Sequence, residues 1–261
     1  MRGRTGGQAL HWAGASLRRQ ALSISGSGGS RSGSATLVAL TGLVVFGSVG
    51  ITGTAAGASQ GSQYAALKKA LFVRSDFPSG WSGPGKVTTS NGGGSSIPGE
   101  SQLAACVGLS QNLFNLHSPT ATSPTFQDKG GTHYVQDNTN TFPSTTVAAK
   151  EYAAISGPKV PGCLTTVFGA PAAKQQLESS MNGTIGTVTV TAVNPAVLVG
   201  HSAGFVIAFQ ATVQGIMAPV SITVVSMVRG KTGHQVSFTS VGTDFPASFE
   251  HHLVAIAYGR T

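Results

Sequence analysis

A mixed α+β domain is the fold class that this sequence predicts: an antiparallel sheet with helices packed on one face, in two layers. Three observations carry that expectation. Beyond Ile185 the apolar residues alternate with a period of two, in four runs joined by short connections, which is the pattern of an antiparallel meander with one wet face. Residues 59–73 and 246–258 instead carry apolar residues at helical spacing, so helices stand at both ends of the chain's C-terminal part. The four strands follow one another without intervening helices, and the helices at both ends favour helices on an antiparallel sheet over a β-sandwich.

The chain opens on a segment outside this domain. Residues 1–34 are mostly Gly, Ser, Arg and Ala, with Arg2, Arg4, Arg18, Arg19 and Arg31 and no acid. An apolar core of 17 residues, 35–51, follows, and small residues at 54–59 close it. A basic stretch, an apolar stretch and small residues in that order make a secretory signal, with cleavage expected near Ala56 or Ala58. The core also approaches the roughly 20 residues of a spanning helix. An uncleaved anchor, with membrane association through residues 35–56, is therefore the alternative, and a core helix the third reading. Arg18-Arg19 has the form of a twin-arginine signal but lies far from the apolar core. Either membrane reading leaves the basic flank in the cytoplasm and residues 58–261 outside, secreted or on the outer face of the membrane. The chain thus divides into 1–57, targeting segment, and 58–261, a single extracytoplasmic domain of ordinary size.

That division changes the meaning of the charge. The whole chain has 16 basic and 8 acidic residues, a net +8. Five arginines and no acids precede residue 58, so 11 basic and 8 acidic residues remain, a net +3. The basicity belongs largely to the targeting segment and is no footprint of nucleic-acid binding, which needs Lys and Arg clustered on the folded domain.

Within the domain, Tyr64, Leu67 and Leu71 set the first helix, and Pro78 and Gly80 end the turn that follows it. Residues 82–99 read as a Gly/Ser-rich loop. A short helix over 101–108 carries Cys106; residues 111–127, interrupted by Pro119 and Pro124, read as irregular. A strand is expected at 132–137 and a helix at 145–155. After the break at 156–162, helical turns are expected at 163–168 and 174–180. Val188 and Val190, then Phe205, Ile207 and Phe209, then Val220, Ile222 and Val224, then Val236 and Phe238 mark the four strands. Phe249, Leu253 and Ile256 mark the last helix, with Pro246 in its first turn.

Cys106 and Cys163 are the two cysteines. In an oxidising compartment an even count reads as a disulfide. A zinc site with His133 or His201, or two free buried thiols, are the other readings.

The motifs that carry chemistry fare poorly. Gly57-Ala-Ser-Gln-Gly61 spells a nucleophile elbow but sits at the cleavage junction, without the strand that must precede it. Gly80-Trp-Ser-Gly-Pro-Gly-Lys86 has phosphate-loop spacing, yet Val87 stands where Ser or Thr is required. No pair among His117, His133, His201, His234, His251 and His252 has the spacing of a helical zinc site. The acids, Asp76, Glu100, Asp128, Asp137, Glu151, Glu178, Asp244 and Glu250, form no evident catalytic pair. Asp76 and Asp244 recur in the string Asp-Phe-Pro at helix boundaries, where turn or cap hydrogen bonds account for them. Asn182-Gly-Thr184 is a glycosylation sequon, relevant where the host glycosylates asparagine. No catalytic residue, cofactor or metal site is therefore assigned.

Four strings carry a resemblance: Leu71-Phe-Val-Arg-Ser-Asp-Phe-Pro-Ser-Gly-Trp81, Ala104-Ala-Cys-Val-Gly108, Val160-Pro-Gly-Cys163 and the ending from Phe245-Pro to Tyr258-Gly-Arg260. They resemble secreted or lipid-anchored actinobacterial proteins similar to the extracellular sensor domain of mycobacterial serine/threonine kinases, a PsbP-like fold group. The resemblance spans roughly 62–260. It implies a helix-flanked antiparallel sheet with a cysteine pair, and a role in binding a small molecule or an envelope protein. No kinase domain and no lipidation cysteine accompany it here. A non-enzymatic extracytoplasmic binding domain is the leading expectation, with a cell-envelope hydrolase or a structural envelope protein as alternatives.

Overall fold

Strand alternation decides the architecture, because directly paired residues on antiparallel neighbours share a face. The computed structural model describes residues 60–91, 100–109 and 118–261. The expected targeting segment 1–57, the Gly57–Gly61 string up to Ser59, and His117 lie outside the described residues. Among those described, six helices and nine strands form: α1 (Gln60–Ala70), β1 (Thr88–Ser90), α2 (Glu100–Val107), β2 (Thr120–Thr122), β3 (Phe126–Gln127), β4 (His133–Thr141), α3 (Thr145–Ile155), α4 (Val160–Gly169), α5 (Pro171–Met181), β5 (Gly183–Ile185), β6 (Thr189–Ala192), β7 (Ser202–Val213), β8 (Ile216–Arg229), β9 (Thr232–Val241) and α6 (Ala247–Arg260). All strands join one sheet in the order β1-β2-β4-β9-β8-β7-β5, with β3 on β4 and β6 on β7. Every pairing is antiparallel. The α+β class and the meander from β6 to β9 are as the sequence predicts.

The layering differs from expectation. Phe205, Ile207 and Phe209 of β7 pair with Val224, Ile222 and Val220 of β8, and all six sink into one core with Leu164, Val167 and Phe168 of α4 and Leu177 and Met181 of α5. Val225 and Met227 of β8, with Val236 and Phe238 of β9 and Val135 of β4, point the other way. They pack with Leu253, Val254 and Ala257 of α6. Helices therefore lie on both faces, not one. The apolar alternation visible in β7 and β8 belongs to the α4/α5 face; the α6 face is built from residues one step out of phase, Thr223, Val225 and Met227.

Local causes are readable. Pro161 and Pro171 occupy first turns of α4 and α5, where a missing N–H costs nothing, so both expected helical turns grow into whole helices. Asn182 ends α5 at φ 52°, a left-handed cap that asparagine tolerates. Ser144 caps α3, its Oγ accepting from the Val147 N–H at 3.2 Å. Gln214 (φ 53°) and Gly215 (φ 80°) form the two-residue turn between β7 and β8, both in the left-handed region that such a hairpin turn needs. The short strands β1, β2 and β3 fall where the sequence reads as loop, since strands of two or three residues show no period.

Cys106 on α2 and Cys163 on α4 are paired, with Cα atoms 5.8 Å apart and 57 positions between them. A link of that span restricts the unfolded chain by about 4 kcal/mol in the loop-entropy account. Replacing both cysteines by serine is expected to lower the urea midpoint by a stability loss of up to about 4 kcal/mol with the fold retained, measured by equilibrium unfolding with and without reductant.

Candidate functional site

The α6 face changes character along its length. Read across β6, β7, β8, β9 and β4, one row of paired residues is Thr191, Val206, Thr223, Phe238 and Val135, lying towards the α6 core. The adjacent row is Thr189, Ala208, Ser221, Ser240 and His133. It lies beyond the N-terminal end of α6, and its members Thr189, Ala208, Ser221 and Ser240 form the floor of an open groove of about 380 Å³. Gln210 and Pro219, paired with each other, extend the floor, and Gly242, Thr243 and Asp244 make one wall. Thr187 joins the lining from the connection between β5 and β6. Helix α6 does not begin until Ala247, so among the described residues no helix covers this end of the face.

The wall is fixed by histidine. His133 Nδ1 lies 2.9 Å from Asp128 Oδ2, and its Nε2 lies 3.2 Å from the Asp244 carbonyl and 3.4 Å from Thr243 Oγ1. Phe245 meets the ring edge-on. Asp128 also accepts from the Thr132 and His133 N–H groups and the Thr132 hydroxyl. Burial alone would raise this carboxyl, but the hydrogen bonds from His133 and Thr132 outweigh it and hold it below the usual carboxylate range.

On the groove floor the polar groups are left open. Thr189 Oγ1 donates to the Ala208 carbonyl at 3.3 Å. The side chains of Ser221, Ser240 and Gln210 make no hydrogen bond among the described residues, and Ser240 is 4% exposed. Asp244 is the sole charged residue in the lining.

A second Asp–His pair lies deeper on the same face. Asp137 and His234 have fully buried side chains, with His234 Nε2 2.8 Å from Asp137 Oδ2. The Phe72 N–H donates to the same oxygen at 3.0 Å. Thr261 Oγ1 stands 3.4 Å from His234 Nδ1. Though it has the order carboxylate, imidazole, hydroxyl, the side chains of its first two members have no exposed surface to offer a substrate. Nearby, Arg260 clasps Asp76 through two hydrogen bonds of 2.7 and 2.8 Å and reaches the Leu71 carbonyl. Asp76 accepts from the Val73 N–H, the turn bond expected of it; the ion pair to Arg260 is additional.

Glu250 heads the buried stripe of α6 with Leu253, Val254 and Ala257. Burial pushes its carboxyl from 4.5 up to about 7, against a smaller lowering by Thr223. Thr223 is two residues along β8 from Ser221, so Glu250 stands behind the inner end of the groove. Glu151 on α3 is pushed to about 7 by burial as well.

His201 faces Tyr152 edge-on, away from Cys106 and Cys163, which are joined to each other. His251 is exposed on α6, and His252 stacks on Phe249. The Gly80–Lys86 string runs into β1 rather than a helix, with Ser82 bridging to Gln127. Sequence reasoning missed the groove, because Ser221 and Ser240 look like ordinary wet-face residues; only the register sets them side by side.

No family model matches the chain, and neither does any curated protein. Among solved structures, the extracellular domain of PknH from Mycobacterium tuberculosis is similar at 13% identity and a TM-score of 0.40, covering 75% of this chain and 96% of that one.

Two outcomes test the buried groups. Asp137→Ala leaves the Phe72 N–H and the His234 imidazole without their acceptor, and is expected to cost about 3 kcal/mol or more in urea unfolding. The Glu250 carboxyl has a folded pKa above its unfolded value. Its stabilising protonation is thus complete below about pH 4.5 and lost as pH rises through about 7. Glu250→Gln should remove that loss, making the variant more stable than wild type above pH 7 by up to about 3 kcal/mol.

Proposed function

We propose that residues 58–261 form an extracytoplasmic, non-enzymatic binding domain whose ligand seats in the groove on the α6 face. The observation that carries this is the groove floor: hydrogen-bonding side chains of Gln210, Ser221 and Ser240 held side by side on paired strands and unengaged by the described residues. Unsatisfied polar groups on a rigid, concave surface are what a specific ligand site needs before the ligand arrives. The cysteine pair and the basic-apolar-small order of residues 1–58 support the location outside the cytoplasm. The strings resembling kinase sensor domains support a sensing role.

A hydrolase is the second reading, favoured by one observation. Asp128, His133 and Thr243 stand at the groove wall in the order carboxylate, imidazole, hydroxyl. Against it, the Asp244 carbonyl lies nearer to His133 Nε2 than the Thr243 hydroxyl does, so the nitrogen that would take the proton is engaged by an acceptor.

Ser221→Trp fills the groove and separates the two. The low-molecular-weight fraction of a cell-envelope extract is expected to raise the Tm of the wild-type chain and leave the variant unmoved; saturation at a hundredfold excess over Kd corresponds to about 2.7 kcal/mol. Equal shifts in both would sink the groove as the site. Turnover of extract components that Thr243→Val abolishes would establish the hydrolase instead. Intact mass of the exported protein, with and without reductant and alkylation, checks the location: a loss of residues up to about 56–58 and no thiol reacting before reduction are expected.

A further inference from the structure

Building on the binding reading above, we infer that the ligand of this groove is an uncharged saccharide. The floor offers two hydroxyls and one carboxamide, each able both to donate and to accept, and Asp244 adds an acceptor at the wall. A ligand matching this set must carry donors and acceptors densely on one face, as the hydroxyls of a sugar ring do. Charge removes the competing classes. Among the described residues no Lys or Arg lines the groove, and Asp244 is negative, so a phosphate, sulfate or carboxylate ligand would meet repulsion that the lining does not offset. A purely apolar ligand would cover the hydroxyl of Ser240, a residue only 4% exposed, and cut it off from water without supplying a hydrogen bond, at the cost of an unsatisfied buried group.

The outer lip supplies what a sugar needs besides hydrogen bonds. Met217 lies two and four residues from Pro219 and Ser221 on β8, hence on the same face, and is 70% exposed. Met217 and Pro219 present apolar surface next to the polar floor, where the C–H face of a ring can rest while its hydroxyls reach inward. The volume of about 380 Å³ lies within the span of small-molecule sites.

Saturation-transfer NMR on the full chain tests this with three probe classes: neutral trisaccharides of glucose, galactose and mannose; trigalacturonate as an anionic counterpart; and 1-decanol as an apolar one. At least one neutral trisaccharide is expected to bind, at least tenfold more tightly than trigalacturonate. Gln210→Leu, at an exposed position that leaves the core untouched, should weaken it at least tenfold, and Arg229→Ala, on the opposite hairpin, should not. Failure of every neutral probe, or binding that Gln210→Leu does not weaken, overturns the saccharide assignment. If trigalacturonate or decanol binds instead and Gln210→Leu abolishes it, the groove stands as a binding site with a different ligand class. If no probe responds to the groove variant, the groove reading falls with the saccharide.

Discussion

The Asp137 carboxylate is the constraint around which this domain closes. It has no exposed surface, and taking such a group out of water costs several kcal/mol unless donors surround it. Its donors come from distant segments: the Phe72 N–H follows α1, and the His234 imidazole stands on β9. Asp137 itself is on β4, so one oxygen fixes the start of the domain, its central strand and the hairpin after β8 at a single point. The chain's last residues join them. Thr261 reaches His234, and the Arg260 guanidinium, raised chiefly by its hydrogen bonds to Asp76, also feels the charge of Asp137. The other oxygen, Oδ1, has no partner among the described residues, so the arrangement tolerates no loss of the donors it has.

From that anchoring the groove follows. Fixing Arg260 against Asp76 and Leu71 seats the C-terminal end of α6 over the β4 and β9 side of the sheet. Fourteen residues at about 1.5 Å each reach roughly 21 Å and no further. Helices α4 and α5 cover the other face of β6, β7 and β8. What is left on the α6 face is the row from Thr189 to Ser240, supported from behind by a packed core and open in front. His133, tied to Asp128, then holds the Thr243-Asp244 wall beside it. The groove is thus a by-product of where one helix is pinned.

Much of this was legible in the sequence, and the failures have physical causes. Period-two runs gave β6 to β9, and helical spacing gave α1, α3 and α6 within a few residues. The cysteine pair was legible from compartment and count. The division of helices between two faces was not: β7 and β8 show apolar alternation on one face only, while Val225 and Met227 lie in a continuously buried run, 222–227, whose second face is masked by Thr223 and Ser226. Glu250 was invisible as a core residue, since a carboxylate in an amphipathic pattern reads as a solvent position. The pairs Asp137–His234, Asp128–His133 and Asp76–Arg260 join residues five to 184 positions apart, and no local spacing encodes the longer two. Only for Asp76 did the string Asp-Phe-Pro flag a turn, and that flag captured half of its bonding.

Two Asp–His pairs in one small domain invite a catalytic reading, and their environments argue against it in different ways. A general base needs a nitrogen lone pair within reach of the proton it takes. His234 presents one nitrogen to Asp137 and the other to Thr261, inside a core with no surface. His133 is at the surface, but its nitrogens face a carboxylate and a carbonyl. Both rings are spent as side-chain cross-links, His234 between the paired strands β4 and β9 and His133 between the turn before β4 and the Thr243-Asp244 segment after β9. The unspent groups are the hydroxyls and the amide on the groove floor. They sit on paired strands whose backbone is already fixed, so a ligand would order few side chains on arrival, and recognition there depends on matching their pattern rather than on moving the protein.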